Sequence, residues 1–167
     1  MVNPINSYII PPISKQTGLL ITGLISTALL GGALLFQYVG GFMPCEMCIW
    51  QRWPHLIVMI CALTGLLNIR PQMMLWLIFL AGITSAGLGG YHAGVEWKFW
   101  AGPSGCTASL GLGDDISQIT DQLLATPLVR CDAVVWSLFG LSMAGWNALI
   151  SLDIVAVALI SLRKIAR

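Results

Sequence analysis

"MPCEMCIWQRWPH", residues 43–55, sets a Cys-x-x-Cys pair, an arginine, two tryptophans and a proline between two long apolar runs. Its reading decides the fold. A helix from Pro54 to Leu67 would reach only about 21 Å at ~1.5 Å per residue, short of a hydrocarbon core of ~30 Å. The helix must therefore begin near Glu46 or Met47 and carry Pro54 in its first turns. There the proline frees the carbonyl of Trp50 and bends the rod. Length thus puts the cysteine pair at a helix start, on the lip of a membrane.

Composition agrees. Of 167 residues, 57% are hydrophobic and 9% charged, against roughly 25% charged in soluble domains. The chain cannot cover a water-facing surface and reads as an integral membrane protein, with lipid as its solvent. A net charge of +1 argues neither for nucleic acid nor for acidic partners. With no internal repeat and no low-complexity tract, residues 1–167 read as a single domain. Four apolar spans are expected, at about 17–38, 46–67, 73–93 and 133–162, joined on one side by loops of about 39–46 and 94–132. The expected fold is an all-α membrane protein, a bundle of four transmembrane helices. Residues 1–16 hold one lysine and lack a small-residue cleavage site, so the first span is expected to be retained.

Lysine and arginine set orientation. One side carries Lys15, Arg70, Arg163, Lys164 and Arg167, and the other Arg52, Lys98 and Arg130. The bias places both termini in the cytoplasm. Cys45, Cys48, Cys106 and Cys131 then share the outer face, which in a bacterium is the oxidising periplasm where disulfides persist. Cys61 alone is mid-span and reads as a small buried hydrophobe.

A thiol pair does redox work when one sulfur is readily a thiolate. The positive end of a helix favours that anion, and Cys48 and Arg52 lie one helical turn apart. The same fixed cation disfavours a metal, and zinc wants about four ligands where the chain offers two histidines. A redox dithiol is the preferred reading over a metal clamp or a structural disulfide. Arg52 has a plainer alternative, snorkelling to headgroups between Trp50 and Trp53. Its planar fork also suits an oxygen-bearing ring lodged in lipid, such as a quinone.

In the second loop, "DDISQITDQLLATP" spaces Ile116, Ile119, Leu123 and Leu124 as one face of a helix, with Asp115 or Ser117 as N-cap. A short amphipathic helix on the membrane surface is expected there. Cys106 and Cys131 flank it. They could staple the loop, yet "PSGCTAS" is an accessible setting for an incoming thiolate, and Cys131 returns directly to the lip. His92 at the end of the third span is either a belt residue or a proton source. Gly82, Ala86, Gly90 and Gly94, with Gly140, Ala144 and Ala148, predict close helix packing through small residues. Asn147 and Asp153 are expected to face protein or headgroups.

"PCEMCIWQR", the histidine of "GGYHAGVEW", "PSGCTA" and "RCDAVVWSLFGLSMAGWN" together resemble the disulfide bond formation protein B (DsbB) family over nearly the whole chain. The resemblance implies an inner-membrane enzyme that reoxidises a periplasmic thioredoxin-fold dithiol oxidase of the DsbA type and reduces ubiquinone or menaquinone. By position, Cys106 would take the mixed disulfide and Cys131 would be its partner. Cys45 and Cys48 would lie next to quinone, with Arg52 holding a quinone oxygen and His92 beside the same pocket. One departure stands out: Gln51 occupies a position that is acidic in the family, which puts a proton-handling role there in doubt. The nearest rival resembles vitamin K epoxide reductase, whose Cys-x-x-Cys comes late in the chain rather than first. A rival of another class, a small metal-handling membrane protein, is disfavoured by the scarcity of histidine and buried carboxylates.

Overall fold

The computed structural model describes residues 13–103, 106 and 129–163. The surface helix expected within 114–127 lies outside the described residues. Helix α1 runs Lys15–Tyr38, α2 Glu46–Trp50, α3 Arg52–Leu66 and α4 Pro71–Glu96; a hairpin of β1 (Ser137–Leu138) and β2 (Leu141–Ser142) leads into α5, Met143–Leu162. Three of these, α1, α4 and α5, are long and apolar enough to cross a membrane among the described residues. The molecule is mostly helical, as an all-α membrane protein should be.

Helix α2 starts at Glu46, where the length argument put it. The helical rod is interrupted at Gln51, three residues before Pro54. Pro54 brings no N–H for the Trp50 carbonyl, and its ring crowds that turn. A different boundary emerges at the fourth run. The stretch expected as a span over 133–162 is helical only from Met143. Phe139 (φ 53°) and Gly140 (φ 79°) both sit in the left-handed region, which is the geometry of a two-residue hairpin turn and not of a helix. Ser142 then caps α5, its hydroxyl accepting from the Gly145 N–H at 3.2 Å.

Helices α4 and α5 form the most extensive pairing, and α3 packs between α1 and α4. Small residues do bring α4 and α5 together, though in a different register from the expected one. Added Cβ atoms at Gly82 and Gly89 would come within 2.9 Å of α5, at Gly89 against its backbone, whereas Gly90 faces open space. Gly94 instead seats the ring of Trp100, which folds back over α4 and donates to the Tyr91 carbonyl at 2.9 Å. Asn147 turns inward as expected, while Asp153 is exposed on the outer side of α5.

At one end of the bundle, Lys15 Nζ reaches Gln72 Oε1 (3.1 Å) and Gln16 Nε2 reaches Asn68 Oδ1 (2.6 Å), joining the start of α1 to the α3–α4 turn. Above that end lies a dry core of Leu19, Val58, Ala62, Leu75, Ile78, Ile154 and Ala158. The opposite end collects the cysteines of both loops. Leu24, Ile60, Leu80 and Leu152 are exposed, the surface a bilayer would cover.

Candidate functional site

Cys45, Cys106 and Cys131 come together with Met47, from two distant loops, into one buried cluster, and the half-buried Cys48 and Val129 pack against it. Cys106 and Cys131 form a disulfide, so the pairing that spacing left open is settled in this state. Cys45 and Cys48 are free thiols whose sulfurs lie 2.8 Å apart, the Cys45 S–H donating to Cys48 Sγ. Cys45 also caps α2, its sulfur accepting from the Cys48 backbone N–H at 3.2 Å. The hydrogen bond to Cys48, and then burial, push the Cys45 thiol well above the ordinary cysteine range. Cys48 is thereby the sulfur placed to accept.

The loop carrying Cys131 is tied down from both sides. Arg130 grips Asp132 through two hydrogen bonds of 2.9 and 2.7 Å, and Lys98 Nζ donates to the same carboxylate and to its backbone carbonyl, each at 2.6 Å. Arg130 and then Lys98 hold the Asp132 carboxyl well below the usual carboxylate range. Cys131 N–H donates to the Cys106 carbonyl at 2.9 Å, which completes the closure.

Beside the cysteines a cavity of about 450 Å³ opens between α1, α3 and α5. Leu29, Phe36 and Ile150 give it apolar walls, and Cys45, Cys48, Arg52, His55, His92 and Asn147 give it a polar end. Arg52 is half-buried on this wall, its Nη1 donating to Gln37 Oε1 at 2.6 Å. The expected site residues Cys45, Cys48, Arg52 and His92 therefore share one cavity. Cys106 and Cys131 stand behind it in the sulfur cluster.

The hydrogen bonds of this end run in a direction that a single backbone carbonyl fixes. Gln51 Nε2 lies 3.2 Å from the carbonyl of Met47, a group that only accepts. Its second hydrogen therefore points at His92 Nδ1, 2.7 Å away. Gln51 Oε1 faces Asn147 Nδ2 at 2.7 Å, so Asn147 Oδ1 accepts from His55 Nε2 at 2.7 Å. His55 Nδ1 then accepts from Ser26 Oγ at 3.3 Å. Because Gln51 donates to Nδ1, His92 carries its hydrogen on Nε2. That N–H faces the Cys131 carbonyl (3.2 Å) and Cys45 Sγ (3.6 Å).

Ligand atoms of Cys45, His92 and Cys131 lie within 4.8 Å of one another. With Cys131 Sγ committed to a disulfide, they do not make a three-donor metal set in this state. Reading from residue types overlooked His55 and Glu96, and gave Asn147 no chemistry. A signal was available: Cys48, Gln51, Arg52 and His55 follow helical spacing, a polar stripe along an otherwise apolar rod.

Residues 15–161 match the model of the family described as disulfide bond formation protein DsbB. A disulfide bond formation protein B from Verminephrobacter eiseniae is 34% identical over 142 residues, covering 78% of this chain and 76% of that protein. Disulfide bond formation protein B 1 of a Pseudomonas fluorescens strain is 31% identical over 153 residues, covering 83% of each. Disulfide bond formation protein B 2 of Pseudomonas aeruginosa is 32% identical over 154 residues, covering 88% of this chain and 85% of its own.

Proposed function

Because the chain belongs to the disulfide bond formation protein DsbB family, we propose that it is an inner-membrane thiol:quinone oxidoreductase. It reoxidises a periplasmic DsbA-type dithiol oxidase and hands the electrons to ubiquinone or menaquinone. The observation that carries this reading is the sulfur cluster itself: a disulfide and a dithiol packed together, the dithiol on the wall of an apolar cavity. In this reading α2 and α3 act as one bent span of the bundle. Glu46–Leu66 reaches about 31 Å at ~1.5 Å per residue, enough for a core of ~30 Å. Both termini are then cytoplasmic and the cysteines periplasmic.

The relay balances at each exchange. A thiolate of the reduced partner attacks Cys106, and the Cys106–Cys131 bond breaks with its electron pair left on Cys131. The partner's second thiol resolves the mixed disulfide, which leaves Cys106 and Cys131 reduced. A disulfide between Cys45 and Cys48 then reoxidises them by the same exchange, and the first pair takes up the electrons. A DsbA-type disulfide is a strong oxidant at about −120 mV, so an ordinary structural disulfide could not re-form it. A strong sink is needed at the first pair.

The residues present fit a quinone at that point. The cavity volume lies within the ~300–1,000 Å³ of small-molecule sites, with donors at one end and hydrocarbon elsewhere. A quinone bound there supplies an acceptor for two electrons and two protons. Arg52 would hold it through a fixed guanidinium that cannot discharge. Cys48 stands on the same wall, and His92 orients Cys45 through its Nε2–H.

The test is turnover with purified protein. With added quinone, wild type should oxidise a reduced DsbA-type partner, and Cys48→Ser should abolish quinone-linked turnover. Normal turnover by Cys48→Ser would sink the reading.

A further inference from the structure

Glu96 closes α4 one turn beyond His92, and its side chain is only 7% exposed. Its Oε1 lies 3.9 Å from His92 Nε2, and its Oε2 has no hydrogen-bond partner among the described residues. A buried carboxyl oxygen without a partner is costly in a protein interior. The carboxyl lines the same cavity as Cys45 and Cys48. Cys45 Sγ, at 3.6 Å, and Glu96 Oε1 thus meet at one ring nitrogen.

Oxidation of the Cys45–Cys48 dithiol must release two protons, and the Cys45 hydrogen is the buried one, pointing at Cys48 Sγ. His92 is badly placed to take it. Its Nε2 already carries a hydrogen, and its Nδ1 is filled by the Gln51 amide, which the Met47 carbonyl and Asn147 prevent from turning round. The other charged and titratable groups near the carboxyl are accounted for. On α2, Cys48 is the electron donor. Ser142, at the start of α5, only hydrogen-bonds the carboxyl. Arg52 on α3 is a fixed cation, and His55 on the same helix is engaged by Asn147 and Ser26. Arg130 lines the cavity but is tied to Asp132, which it shares with Lys98.

We infer that Glu96 is the proton-exchanging residue of the dithiol-oxidation step, with His92 held neutral beside it by Gln51. The inference rests on the quinone reading above and names a residue that serves that site. As the Cys45–Cys48 bond forms, two electrons pass to the quinone. The Cys45 proton goes to the Glu96 carboxylate and from there to a quinone oxygen. The Cys48 proton leaves to water, and water supplies the quinone's second proton.

The experiment is an infrared difference spectrum of the purified full chain, stripped of quinone, between its dithiol form and the form oxidised by diamide. A carboxyl C=O band that grows on oxidation in wild type and is missing in Glu96→Gln supports the assignment. No band in wild type, or one that persists in Glu96→Gln, overturns it. Ser142→Ala gives an independent reading if the glutamine variant does not fold: a Glu96 band must shift, and an unmoved band also overturns the assignment. In turnover, Glu96→Gln should lose about a hundredfold and flatten the pH profile. Failure of wild type to use quinone would remove the proposed function, while the infrared result still decides Glu96.

Discussion

The two ends of the bundle handle buried polar atoms in opposite ways. In the half nearer the α3–α4 turn, hydroxyls bond to their own helix: Thr22 to the Gly18 carbonyl at 2.9 Å and Ser161 to the Val157 carbonyl at 2.7 Å. The buried helix faces there meet mainly through Leu19, Ile78, Ile154 and other apolar groups, and the bonds that cross between elements, from Lys15, Gln16 and Thr64, lie near the turn. In the cysteine half, side chains bond across helices, from His92 on α4 through Gln51 to Asn147 on α5 and His55 on α3. Polar groups in a membrane are expensive and sit where function needs them. Dry packing closes one half. A directed network surrounds an open cavity in the other.

The largest effect should come from breaking the packing that the two halves share. At Gly89 a Cβ would stand 2.9 Å from both the Ala144 carbonyl oxygen and the Ala148 nitrogen, backbone atoms that cannot move aside, whereas at Gly90 it would meet nothing within 4 Å. Gly89→Leu should force α4 from α5 and cost 3 kcal/mol or more, somewhat above the ~1–3 kcal/mol of ordinary overpacking. Gly90→Leu should be close to neutral. Thermal unfolding in detergent compares them, and equal losses would mean that the α4–α5 register is wrong.

That register is also where the sequence could be read only in part. Small residues at steps of four announce close packing, but Gly89 and Gly90 are adjacent and only the structure says which faces α5. Proline and span length were enough to place the start of α2 near Glu46. They could not show that the fourth apolar run opens with a hairpin, because Phe139 gives no hint of its positive φ. The cysteines, Arg52 and His92 announced themselves by residue type. Glu96, His55 and Asn147 did not, since each gains its meaning from a neighbour more than forty positions away or from burial.

A smaller effect should follow from cutting the network while leaving the packing alone. Asn147→Leu keeps similar bulk but removes the donor to Gln51 Oε1 and the acceptor for His55. Each unpaired buried group costs ~1–3 kcal/mol, less whatever water in the cavity restores. The expected loss is about 2 kcal/mol, or roughly 4–8 °C in Tm at ~2–4 °C per kcal/mol. Ser161→Ala, which cuts a bond within one helix of the dry half, should change Tm by less. If the order reverses, the cross-helix network is not what holds the cysteine half together.

The smallest effect tests the loop anchor beside Cys131. Arg130 and Lys98 depress the Asp132 carboxyl in the folded chain, so its contribution is present above the unfolded value of ~3.9. It fades as pH falls below that value towards the depressed folded one. Between pH 7 and 5 the anchor should therefore be insensitive to pH. Asp132→Asn should remove it at every pH, since an amide keeps one acceptor oxygen but no charge. Surface ion pairs are weak and screened by salt, so global Tm should hardly move. The change belongs to the Cys106–Cys131 disulfide, whose reduction by a small thiol should quicken a few-fold in Asp132→Asn at low salt and less so at high salt. A disulfide equally resistant in both chains would mean that the backbone bond between Cys131 and Cys106 suffices to hold the loop, leaving the ion pairs to the surface alone.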